Sequence, residues 1–499
     1  MPRRSQSNIP PPVAFHLTAS SRSRVVTRRI VAARPGHAAC AIYTSGTTAN
    51  PKGVLLSHDN IVWTAKTTQR DVLAVPGEVI ISYLPISHIA AALTDMYGSI
   101  VVGITVCFAQ PDALKGSLIE TLRDVRPHLF LGVPRVWEKI EENLRAVGAA
   151  GSSMRRAIAT WAKGVGAAGT AARLAGKADP WGYTLADTVV FSNIRRALGL
   201  DRCRVFASGA APLPLSTALY FASLGIIIRE AYGLSECTGP HSTNKDGIDG
   251  TRFGTVGSPL SGVETRIDDP DPATGDGEIC MRGRHVFMGY LRDPAATAAA
   301  IDADGWLHTG DKGRLEPSRV PGAAPFLRIT GRIKEIIITA GGENVAPVPV
   351  EEAVRTGCAA ISCVMLVGDR RKFISALITL KTDVDADGTP TDVLAPPALA
   401  VAASVGSSVK TATEATKCPH LRAVIDAAVA AANAAGASRA SKIQKWALVT
   451  PDFSVANGEL TPTLKLKRHA VVTRHAKVIE SMYRDAEAET PPKAARSRL

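Results

Sequence analysis

The chain has 499 residues, of which 45% are hydrophobic, 21% charged and 5% aromatic. At ~150 residues per domain this means about three folding units with a sizeable core, and it excludes disorder throughout and an aromatic-rich stacking surface. Fifty-eight Lys and Arg against 45 Asp and Glu leave a net charge of +13, which suits a polyanionic ligand, a nucleic acid or an anionic membrane surface without choosing among them.

Part of that charge is local. Arg3, Arg4, Arg22, Arg24, Arg28 and Arg29 open the chain, and no acid precedes Asp59. Residues 1–36 show no sustained period and read as a basic, disordered tail or a remnant; an apolar signal core is not seen there. Eight cysteines without a C-x-x-C or a Cys/His cluster at ligand spacing read as free, mostly buried thiols rather than staples or a zinc site.

From residue 37 short apolar runs alternate with helical periods. AACAIYTS ends in a Gly/Thr loop and is followed by the helix-like HDNIVWTAKTTQRDVL. VIISYLP, HLFLGVP and RCRVFASGAAP read as buried strands ending in small-residue loops, so a wound α/β sheet is expected. The run YGSIVVGITVCFA, residues 97–109, is too short to span a bilayer and reads as one buried element. Residues 141–188, rich in Ala, Gly and basic side chains, read as helices with a loop insertion. From about residue 250 the pattern becomes short strands between turns, a β-rich subdomain. Near Gly331 it changes again, to a small α+β unit interrupted by an Ala-rich polar insertion at residues 384–440, and a Pro/Arg tail closes the chain. The boundaries expected are therefore 1–36, 37–331, 332–488 and 489–499.

YTSGTTANPKG, residues 43–53, is the most informative segment. Small residues expose backbone N–H groups to an anion, hydroxyls donate further hydrogen bonds, and Lys52 adds charge. The Walker A spacing cannot be laid on it.

This segment resembles the phosphate loop of the adenylate-forming superfamily, and five further motifs follow in that family's order. SGAAPL (208–213) resembles its adenine turn, YGLSE (232–236) its adenine and magnesium motif, and DGWLHTGD (304–311) its fatty-acyl-CoA synthetase signature. GRIKE (331–335) resembles the inter-domain hinge, and TPTLKLKR (461–468) the catalytic-lysine motif. YLPISHIAA, FLGVPRVWEKIEE, ITAGGENVAPVPVEEAV, IQKWALV, FSVANGELTPTLKLKR and VIESMY are similar to the bubblegum group of long- and very-long-chain acyl-CoA synthetases. The resemblance covers residues 38–484.

It implies a large α/β domain with a β-rich subdomain and a small mobile α+β C-terminal domain. It implies ligation of a long-chain fatty acid to CoA by way of an acyl-adenylate, with ATP, Mg²⁺ and CoA. Thr44, Ser45, Gly46, Thr47, Thr48 and Lys52 would hold phosphates, and Gly209, Ala210, Ala211, Tyr232, Gly233 and Ser235 the adenine. Asp311 and Arg332 would meet the ribose or phosphate, and Glu236 would hold Mg²⁺. Lys465 would be the catalytic lysine, with Lys467 as the alternative, and Lys334 the hinge. His88, Gly132 and Trp137 would border the acyl site. A nucleotide- or acyl-binding remnant without turnover, and an adenylation domain loading a carrier protein, are the competing readings. No nucleic-acid motif is found.

Two departures from the family pattern stand out. Ala49 occupies a usual glycine position, costing about 1 kcal/mol or more if that position needs positive φ. The phosphate loop begins at residue 43, where family members carry a large leading region that residues 1–36 do not resemble. The chain is thus expected to lack the domain's start, and to be poorly soluble or inactive alone. The ending Ser497-Arg498-Leu499 is a variant of a peroxisomal address, so an import receptor and a peroxisomal or related location are expected, with a cytoplasmic location or peripheral membrane contact at the endoplasmic reticulum as the alternative.

Overall fold

The structure is a computed structural model, and it describes residues 27–28, 30–44, 51–72, 74–385, 388–436, 439, 441–461 and 464–488. The apolar runs read as strands assemble into one seven-stranded sheet. Its order is Thr105–Phe108, Val79–Ser82, Leu129–Gly132, Val205–Ser208, Ile228–Leu234, Gly239–Thr243 and Ser258–Pro259. The first five strands run parallel, Gly239–Thr243 turns back antiparallel to the fifth, and Ser258–Pro259 pairs antiparallel with Gly239–Thr243. Parallel strands are covered on both faces, hence their continuous apolar sequences. Phe130, Trp137, Phe206 and Phe221 pack at the centre of this core.

The helix His58–Asp71 begins where Ser57 and Asn60 form a capping box, each side chain accepting the other's backbone N–H at 2.8–3.0 Å. The Asn60 amide also donates to the carbonyls of Arg284 and Val286 at 2.8 Å, fastening the helix start to the β-rich subdomain. That subdomain contains the four-stranded antiparallel sheet Glu264–Asp268, Gly277–Arg282, Leu307–Glu316 and Phe326–Arg332. A three-stranded sheet pairs Ala38–Thr44 with Lys52–Ser57, and the latter with Gly289–Tyr290.

After a short turn at Ile333–Glu335 the small unit begins. Its central sheet is Ile361–Val367, Ile374–Leu380 and Ile443–Leu448, with the middle strand antiparallel to the first and parallel to the third. One face packs on Pro347–Gly357 and Pro419–Ala435, the other on Ala476–Ala488.

Two expectations are corrected. The run at 97–109 is not one buried element. It ends a π-helical turn, continues as Ser99–Val102, and then forms the edge strand Thr105–Phe108, leaving Ile100 and Phe108 exposed. The stretch 384–440 is not a polar interruption: Leu394, Leu421, Ile425, Ala428, Val429 and Ala432 are buried in the small unit's core.

Candidate active site

The antiparallel register of Leu307–Glu316 with Phe326–Arg332 sets Asp311 opposite Arg332. Arg332 Nε donates to Asp311 Oδ1 at 3.0 Å, and the Tyr232 hydroxyl donates to Oδ2 at 2.7 Å. Asp311 is buried while Arg332 is half exposed. Burial, reinforced by the Asp311 carboxylate, pushes the Tyr232 phenol well above its usual range, so it remains a donor. The preceding turn is clamped. Thr309 Oγ1 donates to Ile279 O at 2.7 Å and accepts Asp311 N–H at 3.0 Å, and Glu278 accepts Gly310 N–H at 2.8 Å.

The neighbouring turn at Gly209, Ala210 and Ala211 leaves the end of the strand Val205–Ser208. A Cβ on Gly209 would lie 3.3 Å from Ala231 O, and Ala210 takes φ +72°, a left-handed value that costs a non-glycine residue about 1 kcal/mol. Glu230 accepts the Leu213 N–H at 3.3 Å, and its own burial raises its carboxyl to about 7. Gly233 is obligatory: a Cβ there would fall 1.7 Å from Gly239 O in the next strand.

Glu236, beside Ser235 in a single 3-10 turn, accepts the Tyr290 hydroxyl on Oε1 at 2.9 Å. The Lys52 ammonium sits over the Tyr290 ring, 4.8 Å from its centre. Thr44 pairs with Lys52 across the hairpin, so the loop's two ends are held beside Glu236. Ser45, Gly46, Thr47, Thr48 and Ala49 lie outside the described residues.

Lys465 reaches this group from the small unit. Thr461 N–H donates to Lys465 O at 2.8 Å, Lys465 N–H donates to Thr461 Oγ1 at 3.0 Å, and Leu464 takes φ +62° to close the turn. Burial first, then the Arg332 charge, lowers Lys465 to about 8, against the opposing pull of Asp311 and Glu335. Lys467 is exposed, with its N–H donated to Glu459 O. His88 caps Ile89–Ala91 by accepting the Ala90 N–H at 3.3 Å, and burial, aided by Lys465, holds its imidazole below the usual range. Lys334 is exposed in the turn between the two units. Next to it Glu335 pairs with Arg332 at 3.6 Å and with Arg468 at 3.3 Å.

Trp137 requires a correction. It is fully buried, its indole N–H donates to Ala207 O at 3.1 Å, and a Cβ on Gly132 would lie 2.6 Å from its Nε1. Gly132 and Trp137 are therefore packed into the core beside the sheet and, among the described residues, leave no surface for an acyl chain.

Several side chains escaped sequence reasoning. Tyr290 is one. Another group joins the two units: Arg135 donates to Ser362 O and Oγ at 3.2 Å, Arg355 pairs with Glu138 at 3.0 Å, and Lys381 pairs with Glu142 at 2.5 Å. Asp268, Cys280 and His308 bring ligand-type atoms within 4.8 Å of one another, which spacing along the chain does not show. Arg266 pairs with Asp268 at 3.3 Å and His308 with Glu278 at 2.9 Å, so the cluster is already neutralised by its own partners.

The AMP-binding enzyme family matches residues 6–291, and the AMP-binding enzyme C-terminal domain matches residues 334–412. The chain belongs to the AMP-binding enzyme family.

This AMP-binding enzyme is 46% identical over 465 residues to the long-chain-fatty-acid–CoA ligase ACSBG2 of Gallus gallus, an alignment covering 92% of this chain and 60% of that protein. It is 44% identical over 467 residues to ACSBG1 of Bos taurus, covering 92% and 63%. The resemblance to the bubblegum group read from the motifs is thus shown across most of the chain, while the chain spans about three-fifths of these relatives' length. Among solved structures, the adenylation domain of a carboxylate reductase from Mycobacterium chelonae superposes with a TM-score of 0.64 at 22% identity, covering 90% of this chain and 61% of that one. ATP-bound MatB from Rhodopseudomonas palustris gives 0.58 at 20%, covering 89% and 69%. These likenesses show the adenylate-forming fold. The opening stretch read as a tail falls largely inside the matched region, since the match starts at residue 6.

A divalent cation fits the residues present. Glu236 offers a carboxylate whose Oε2 has no hydrogen-bond partner among the described residues, and a hard cation held by one carboxylate together with substrate phosphates is the usual magnesium arrangement.

Proposed function

We propose that this chain ligates a long-chain fatty acid to CoA at the expense of ATP. The observation that carries the reading is that the small unit's Lys465–Arg468 turn meets the Tyr232–Asp311–Arg332 group of the large one: Glu335 pairs with both Arg332 and Arg468, and Lys465 feels the charges of Arg332 and Asp311. A carboxylate oxygen attacks the α-phosphorus and pyrophosphate leaves; the CoA sulfur then bonds to the acyl carbon, AMP leaves, and the thiol proton goes to solvent. Neither step needs an enzyme nucleophile, so the protein's task is to place anions and offset their charge.

Tyr232, Gly233, Gly209, Ala210 and Ala211 would border the base, and Asp311 would accept from the ribose hydroxyls. Lys52 and the loop ahead of it would hold phosphates. Lys465 would lie between the carboxylate and the α-phosphate, with Arg332 beside it, and a neutral His88 would border the acyl carboxylate. Glu236 would hold Mg²⁺, which supplies charge neutralisation on the phosphates when bound. Incubating the purified chain with palmitate, ATP and CoA should release AMP only when the thiol is present. AMP release that ignores CoA, or pyrophosphate release with no thioester formed, would sink the reading.

The proposal extends to location and partners. Ser497-Arg498-Leu499, outside the described residues, would be read by a peroxisomal import receptor, and a lipid surface would supply the acyl substrate. A fluorescent protein ending in residues 488–499 should become punctate with a matrix marker, and should return to the cytosol when the last three residues are removed. A diffuse signal from the intact tail rejects the address.

A further inference from the structure

Residues 150–200 carry seven basic side chains, Arg155, Arg156, Lys163, Arg173, Lys177, Arg195 and Arg196, against two acids. Both acids are held within the segment: Asp179 by Arg173 and Asp187 by Arg195, each at 2.8 Å. The helix Ser153–Leu174 buries Ala162, Gly166, Gly169 and Thr170. Beside that face, Met154, Ile158 and Trp161 stand at i, i+4 and i+7, all exposed, Met154 to 73%. The row continues onto the next element. A Cβ on Gly182 would lie 3.3 Å from the Trp161 ring, so the turn bearing Trp181 packs against Trp161. Trp181 itself is 92% exposed, and Leu185 and Val189, four residues apart beyond it, are exposed too.

We propose that this face docks on the surface of an anionic lipid bilayer. Indoles favour the lipid–water boundary, aliphatic side chains enter the acyl region beneath it, and arginine and lysine stems let their charges reach anionic headgroups. Charge complementarity selects the occupant. A second copy would bring the same positive segment against itself, and a nucleic acid offers nothing for Met154, Ile158 and Leu185 to bury against. Among the described residues no helix is long and apolar enough to cross a membrane, so the contact is peripheral. The inference is independent of the ligase reading, because the assay contains neither nucleotide nor acyl substrate.

The full chain is sedimented with vesicles of phosphatidylcholine alone and with vesicles that also contain phosphatidylserine. Pelleting with the anionic vesicles is expected, reduced by added salt. The double variant Met154→Ser, Trp181→Ser should bind roughly tenfold less, and Arg155→Glu, Arg156→Glu should lose the preference for phosphatidylserine, both with unchanged melting since these side chains are exposed. Failure of the intact chain to pellet with anionic vesicles overturns the proposal, as does equal pelleting by the double serine variant. A lipid-free dimer in sedimentation velocity that the serine variant abolishes also overturns it, and assigns the face to a second copy.

Discussion

Replacing Lys465 with alanine is expected to lower acyl-adenylate formation about 100–1,000-fold, the range for one preorganised charge acting on a developing anion, while CoA attack on supplied acyl-adenylate stays close to that of the intact chain. Lys465 sits among Arg332, Asp311, Glu335 and His88, where the first half-reaction would build charge. Its pH profile should carry the same signature. With the ammonium lowered to about 8, kcat/KM for ATP falls as pH rises through that value, because only the charged form can offset the α-phosphate. The alanine variant should lose this alkaline limb. Equal loss in both half-reactions, or an unchanged limb, removes Lys465 from the role and returns attention to Lys467.

The second large effect belongs to Asp311. Asp311→Asn keeps the shape but replaces one acceptor oxygen with a donor. Two charge-assisted hydrogen bonds to ribose would be weakened, together worth ~3 kcal/mol, so kcat/KM for ATP should fall about 100-fold, mostly through KM. Arg332 and the Tyr232 hydroxyl lose their shared carboxylate as well, so the melting temperature should drop. An ATP dependence that is unaltered while the melting temperature falls would make Asp311 a structural residue only.

Motifs lying on one element could be read from the chain, because local chemistry fixes them. The run HDNIVWTAKTTQRDVL announced the helix His58–Asp71, and the small residues after Val205–Ser208 announced a loop at the strand's end. Tyr290 was not legible beside Glu236, since their contact depends on Gly289–Tyr290 pairing with Val54 and Leu55. The pairs made by Arg135, Glu138 and Glu142 were hidden for the same reason, their partners lying more than 200 residues away. Trp137 is different. Val133, Val136, Trp137 and Ile140 already follow helical core spacing, and that spacing outweighs the family likeness. In the helix Pro419–Ala435 the core stripe Leu421, Ile425, Ala428, Val429 and Ala432 is masked because alanine also fills the other faces.

The pairs between the helix Pro134–Ala149 and the small unit also set how these two bodies can come apart. A greasy seam would expose apolar area on opening and resist it in proportion. Where the seam is stitched by guanidinium, ammonium and carboxylate groups, water takes up each partly buried partner as it is released, and that hydration offsets much of the lost pairing. Such a joint gives orientation without adhesion: it aligns the small unit when closed and yields when a substrate favours another arrangement.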